Sequence, residues 1–184
     1  MVNDLIADLL ISNNIVVVDE YNNFLLSSGK KSKIYVDCRK ITSLPTLRKQ
    51  ITNILVEEIS KNIPSVDVIC GIATGSVPLA MLVAEQMQLP FIYHRTTKLY
   101  GMGKRIEGIY SDRQDVVVIE DVVTTGNSAV QTIVDLENEK LKVQGLFAIY
   151  SGSPCDYQSS FNKHEINFFS LTDLLTLLRH LNMH

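Results

Sequence analysis

A mostly parallel α/β sheet flanked by helices is the fold class that this 184-residue sequence predicts, and three observations point to it. From Val66 onward, short β-branched runs alternate with stretches of helical periodicity, and parallel strands need such a crossover between them. The runs VDVICGI and DVVVIED are apolar almost throughout, as in strands whose sheet is covered on both faces. With 46% hydrophobic and 20% charged residues, the chain has an ordinary globular balance, at a length that suits one domain with a real core.

In order along the chain, Leu5, Ile6, Leu9 and Leu10 recur at helical spacing after Asn3 and predict a short amphipathic helix. Residues 15 to 37 read as extended: IVVV, FLL and KIYVD are separated by the polar turns YNN and SSGKKS. Thr42 and Ser43 are candidate caps for a helix with Pro45 in its first turn and Leu47, Ile51, Ile54, Leu55 and Ile59 on its apolar face. VDVICGI is the next strand, Pro78 to Met87 a helix, and FIYH a strand. Residues 98 to 113 are polar and glycine-containing, a long loop. DVVVIED is a strand ending in two acids, and residues 127 to 139 are a helix with Val130, Ile133, Val134 and Leu136 apolar. LFAIY and INFF are further strands, and Ser170 opens a last helix with Asp173 in a capping-box-like start. No repeat or linker divides the chain. The expectation is one domain over 1–184, with residues 1–40 and the C-terminal segment forming a hood.

Composition narrows the function classes. A net charge of −3 offers no basic excess for neutralising nucleic-acid phosphates. Cys38, Cys70 and Cys155 are odd in number and lack CxxC spacing, which suits reduced thiols in the cytoplasm. The acid-containing start MVNDLIADLLIS lacks a signal-peptide pattern, and no apolar run has membrane-spanning length. The expectation is a soluble, cytoplasmic protein.

The strongest chemical signal is Val116 to Ser128, VVVIEDVVTTGNS. An apolar strand runs into Glu120 and Asp121, then into Thr124, Thr125, Gly126, Asn127 and Ser128, and then into a helix. Ligands of open α/β sheets bind beyond the carboxyl ends of the strands. Hydroxyls and backbone N–H groups at a helix N-terminus suit a phosphate, and Gly126 allows close backbone approach. The acids would repel that phosphate; they suit hydroxyl groups, a metal or a developing positive charge. A sugar carrying a 5-phosphate and passing through a cationic transition state wants both. A solvated strand cap is the plain alternative for Glu-Asp alone, and the thirteen-residue string weighs against it.

Other stretches are less decisive by themselves. Lys98, Lys104 and Arg105 lie among Gly101, Gly103 and Gly108; they either form a basic surface loop or close over an anionic leaving group. Ser27, Ser28, Gly29 and the lysines of GKKS either turn a hairpin or contact a ligand. Thr74, Gly75 and Ser76 either cap a helix or hold an anion through backbone N–H groups. His180 and His184 are spaced i, i+4 but lie at the chain end, and His94 and His164 lack ligand-like neighbours. GMG at 101 to 103 completes no dinucleotide fingerprint, and no GxxxxGK[ST] loop or Ser-His-Asp arrangement is present.

Val116 to Ser128 resembles the motif with which type I phosphoribosyltransferases bind phosphoribosyl pyrophosphate (PRPP). Phe24 to Lys40, FLLSSGKKSKIYVDCRK, resembles the N-terminal signature of the orotate phosphoribosyltransferase family. GIATGSVPLA (71–80) resembles its pyrophosphate loop and KLYGMGKRIEG (98–108) its mobile catalytic loop, and with the final FSLTDLL segment the resemblance covers nearly the whole chain. The resemblance implies the type I phosphoribosyltransferase fold, with Lys98, Glu120 and Asp121 catalytic. It implies PRPP contacts from His94, Arg95, Lys98 and Tyr100, from Thr74 and Gly75, and from Glu120, Asp121, Val122, Val123, Thr124, Thr125, Gly126, Asn127 and Ser128. Orotate contacts would come from Ser28, Lys30 and Thr124. Mg²⁺ would be the cofactor, reaching Glu120 and Asp121 through PRPP. A homodimer in which the mobile loop reaches the neighbouring site is implied as well.

The chain departs from the family at four places. His94 and Arg95 stand where Arg-Lys is usual, Tyr100 where many members have His, and Glu20 where many have Lys. Ser151, Gly152 and Ser153 follow the AIY strand where many have an Asp-Arg that helps hold orotate. The function implied is transfer of phosphoribosyl from PRPP to orotate, giving orotidine 5′-monophosphate and pyrophosphate. A phosphoribosyltransferase for a purine or uracil, or a PRPP-sensing regulator on the same fold, are the alternatives.

Overall fold

The computed structural model describes residues 2–183 apart from 20, 22, 23, 27, 28 and 97–103. It opens with α1 (Val2–Ser12), followed by the short strands β1 (Val16–Val18), β2 (Phe24–Leu25), β3 (Lys31–Ser32) and β4 (Ile34–Val36). β1 pairs antiparallel with β4 and β2 with β3, two ribbons outside the main sheet. A 3₁₀ turn at Cys38–Ser43 leads to α2 (Pro45–Asn62). Then come β5 (Val68–Ile72), α3 (Val77–Met87), β6 (Phe91–His94), β7 (Ile106–Glu107) and β8 (Asp115–Val123). The chain ends with α4 (Asn127–Asn138), β9 (Lys142–Ser151), α5 (Pro154–Lys163), β10 (Phe168–Asp173) and α6 (Leu174–His180).

The main sheet has the order β10-β9-β8-β5-β6-β7 and is parallel except for the β6–β7 pair. Alternation along each strand sorts the apolar residues into two cores. Val117, Ile119, Phe147 and Ile149 face α1, α2, α3 and α6, whose Leu10, Ile51, Leu55, Val83 and Leu177 complete one cluster. Val116, Val118, Leu146 and Ala148 face α4 and α5 through Ile133, Leu136, Tyr157 and Phe161. Both faces being covered explains why the strands read as unbroken apolar runs.

β5 is followed through α3 by β6 on one side, while β8 lies on its other side and continues to β9 and β10. Strand order therefore reverses between β5 and β8. The loops leaving these two strands diverge to opposite faces and open a crevice at their carboxyl ends, where open α/β sheets bind ligands.

Several boundaries differ from expectation. Thr42 and Ser43 lie in the 3₁₀ turn, and α2 is preceded by Leu44, extended at φ −112° and ψ 91°, without a side-chain cap. Pro45 is the cause, since a residue before proline is driven out of the helical region. Ser170 is held in β10 by pairing with β9, and Asp173 alone caps α6, accepting from the Thr176 N–H at 2.8 Å. The segment 98–113 is not all loop: β7 pairs with β6 at Tyr93–Glu107 and His94–Ile106. α5 corresponds to no expected element, although Pro154 at its start, Asp156 in its first turn and buried Tyr157 and Phe161 mark an amphipathic helix.

Candidate active site

The crevice between β5 and β8 is a cleft of about 660 Å³, within the range of small-molecule sites. Its floor is Glu120, Asp121 and Val122 from β8, one wall is Ala73, Thr74 and Gly75, and another is Thr124, Ser128, Gly152 and Ser153. Residues 25, 26, 30–32 and 34–39 of the ribbon region line its remaining side, among them Lys30, Tyr35, Asp37 and Arg39. A smaller cavity of about 250 Å³ adjoins it, lined by Glu120 and by Val122 through Ala129. The acid pair and the Thr-Thr-Gly-Asn-Ser loop thus share one continuous depression, reached by strands that parallel pairing fixes in register.

Glu120 is only 8% exposed. Burial first, and then the adjacent Asp121 carboxylate, push its carboxyl well above the usual range, while its bond from the Asp121 N–H (3.0 Å) opposes that shift. Asp121 accepts from the Val122 N–H at 3.0 Å and lies directly against Gly75. A Cβ on Gly75 would fall 2.3 Å from Asp121 Oδ2, so glycine is what lets the loop after β5 approach the acids.

Gly126 precedes α4 with φ +73°, a left-handed conformation that glycine adopts without strain. Phe161 of α5 packs against it, 2.4 Å from where a Cβ would be. Asn127, Ser128 and Ala129 in the first turn of α4 line the smaller cavity, and the N-cap position, Gly126, has no side chain to cap the helix. Such an end, next to two threonines and Ser128, can hold a phosphate.

Of the expected site residues, Thr74, Gly75, Glu120, Asp121 and Val122 through Ser128 line one or both cavities, Val123 among them, and Lys30 lines the larger. Lys30 also pairs with Asp156 at the start of α5, joining the ribbon region to the far wall. Ser76 turns inward, its hydroxyl donating to the Ile72 carbonyl at 2.7 Å. Ser28, Lys98 and Tyr100 lie outside the described residues. Arg95 is half exposed, pairs with Glu107 at 3.4 Å, and lines neither cavity.

His94, an expected PRPP contact, lines neither cavity. It is fully buried, with Nε2 2.7 Å from Asp135 and Nδ1 2.9 Å from the Thr132 hydroxyl, so both ring nitrogens are engaged inside the protein. Residues absent from the expectations also line the cleft: Tyr35, Asp37, Arg39, Tyr150 and Asp156. Arg39 donates to Asp37 at 2.6 Å and to the Tyr35 hydroxyl at 3.1 Å, a fan of polar groups within the YVDCRK stretch. That stretch was legible as part of a signature; Asp156 was not, because its helix was missed.

Among the described residues no group of three or more His, Cys, Asp and Glu could hold a metal by itself. Two hard carboxylates at the floor of an anion-sized cleft nevertheless fit an ion that arrives with a phosphorylated ligand, since Mg²⁺ commonly takes one or two carboxylates and completes its shell with phosphate and water.

Comparison with known proteins gives a consistent result. Residues 39–167 match the family described as phosphoribosyl transferase domain. An orotate phosphoribosyltransferase of Fusobacterium nucleatum is 40% identical over 162 residues, which cover 88% of this chain and 77% of that protein. One from Streptococcus agalactiae is 36% identical over 157 residues, covering 85% and 75%. The crystal structure of orotate phosphoribosyltransferase from Aeropyrum pernix shares the fold with a TM-score of 0.83 and 24% identity over 96% of this chain and 99% of that one.

Proposed function

This chain belongs to the phosphoribosyltransferase family, within its orotate phosphoribosyltransferase branch, and from that premise we propose that it transfers phosphoribosyl from PRPP to orotate in pyrimidine nucleotide synthesis. The observation that carries the reading is the meeting of Glu120 and Asp121 with the 124–128 loop in one cleft at the strand-order reversal. In the reaction, the bond from the anomeric carbon to pyrophosphate breaks, a bond to N1 of orotate forms, and the N1 proton is released.

Each part of the cleft suits one portion of these substrates. The start of α4 with Thr124, Thr125, Gly126, Asn127 and Ser128 holds the 5-phosphate. Glu120 and Asp121 fix the ribose hydroxyls and favour positive charge at the anomeric carbon. Thr74 and Gly75 receive the pyrophosphate, and Lys98, with Arg95 and Tyr100, interacts with it as it departs. Ser28, Lys30 and Thr124 contact orotate. Glu120 and Asp121 would hold Mg²⁺ through bound PRPP, and when bound the ion neutralises charge on the leaving group. No nucleophile from the protein is required; positioning and charge suffice.

The same proposal has residues 1–184 as one catalytic domain, hooded by residues 1–40 and the C-terminal segment, and the enzyme as a cytoplasmic homodimer. Supporting it, α1 packs on β10 and α6, and all three cysteines are free thiols, as in a reducing compartment. Among the described residues, no helix is long and apolar enough to cross a membrane.

The test is turnover of PRPP and Mg²⁺ with orotate, uracil, adenine, hypoxanthine and xanthine. Orotidine 5′-monophosphate and pyrophosphate from orotate alone is the expected result. Product from a purine or uracil instead would reassign the base. PRPP binding without pyrophosphate release from any base would make the chain a sensor.

A further inference from the structure

Asp135 lies in α4 and lines neither cavity, yet it gathers hydrogen bonds from three directions. Its Oδ2 accepts from Arg105 Nη1 at 3.0 Å and lies 2.7 Å from His94 Nε2, and its Oδ1 accepts from Gln131 Nε2 at 2.9 Å. His94 ends β6 and Arg105 immediately precedes β7, so one carboxylate ties both ends of the chain flanking residues 96–104 to a single helix. The two ends are also bonded to each other, the Arg95 N–H donating to the Arg105 carbonyl at 2.8 Å.

Through His94 the contacts extend to the cleft. Its Nδ1 lies 2.9 Å from the Thr132 hydroxyl, which donates to the Ser128 carbonyl at 2.8 Å in the first turn of α4. Its backbone carbonyl accepts from the Ala73 N–H at 2.8 Å, at the start of the Thr74–Gly75 wall. His94 therefore joins all three pieces that have to keep their distances: the wall after β5 and the strand pair that delivers Arg95 directly, and the first turn of α4 through Thr132. A fully buried imidazole with both nitrogens bonded is a rigid spacer, and rigid placement is what a reaction relying on orientation demands.

We propose that Asp135, acting with His94 and Arg105, is a positioning residue for phosphoribosyl transfer: it fixes the β6–β7 strand pair against α4 at a set distance from Ser128 and Ala73. This rests on the function proposed above. Neither Asp135 nor His94 contacts substrate; their effect is on the alignment of groups that do, and it falls on kcat more than on the KM for orotate.

The test is a double-mutant cycle of Asp135→Ala and Arg105→Ala, with Asp135→Asn as the variant of equal size should the alanine protein fail to fold. Each single variant is expected to lose roughly tenfold or more in kcat, as a displacement of reacting groups by a fraction of an ångström would cause. The double variant should lose no more than the worse single one, because both sever the same tie. Amide hydrogen exchange in residues 91–95 and 105–107 should accelerate while β9 and β10 stay protected. Turnover within about twofold of wild type, or losses that multiply in the double variant, overturns the proposal. If wild type releases no pyrophosphate with any base, the proposed function fails separately. Exchange then decides the tie alone, and unchanged protection at 91–95 and 105–107 in the variants overturns it.

Discussion

Gly75 and Glu120 show how single residues set the chemistry of the cleft. Gly75 lies where any side chain would strike the Asp121 carboxylate, 2.3 Å from the nearest oxygen, and backbone walls of a site give way less readily than surface side chains. Gly75→Ala should therefore displace Asp121 and lower turnover by roughly 100-fold, the cost of about an ångström of misplacement, which steady-state kinetics would read. A variant with unaltered kcat/KM would remove Asp121 from the site. Glu120 carries a different signature. Its carboxyl is raised above the ordinary 4.5 by burial and by Asp121, so the free protein gains its full stability contribution from this group below that pH and loses it as pH rises through the folded value. Glu120→Gln cannot ionise and should gain in Tm relative to wild type as pH increases above 4.5 without ligand. Parallel Tm profiles for the two proteins would contradict that account.

At the scale of elements, α5 is the support under the 124–128 loop. Its Phe161 is 1% exposed, lies against Gly126, and packs with Tyr157 and Phe168 at ring-centre distances of 5.1 and 5.0 Å. Phe161→Ala removes the ring that holds the left-handed turn and leaves a cavity in the second core. It should cost about 3–5 kcal/mol in denaturant unfolding. A loss below about 1 kcal/mol would mean that the neighbouring helices collapse into the space. The Lys30–Asp156 pair joins this same helix to the ribbon region, but with the Lys30 side chain 64% exposed it orients more than it stabilises.

For the whole molecule, the expectation concerns how ligand and ion act together on stability. The cleft draws on the loops after β5 and β8, on the ribbon region around Lys30 and Arg39, and on the start of α5, so a ligand bridging them stabilises the folded state as a unit. PRPP with Mg²⁺ at 100 times its Kd should contribute about 2.7 kcal/mol. For a chain of this size that is a rise in Tm of about 5–10 °C. Thermal unfolding with PRPP should lose most of that rise when Mg²⁺ is removed by chelation. An equal rise with and without the ion would show that the carboxylates hold the ribose unaided.

Local sequence was enough for the layered sheet, most helices and the acid-plus-loop string, because continuous apolar runs, 3.6-residue periodicity and a Gly turn before a helix each act over a few residues. It also carried the ribbon region as extended chain and, by resemblance, the family. What only the tertiary structure decided involves partners far apart in the chain. The sequence could not say that Ser76 turns inward, that α5 underlies Gly126, or that Asp156 meets Lys30 across 126 positions. His94 is the clearest instance: beside Arg95 it reads as one more substrate contact, and only the packing of β6 against α4 brings Asp135 and Thr132 to its two nitrogens. Side-chain direction depends on neighbours that the fold supplies, and no window along the chain contains them.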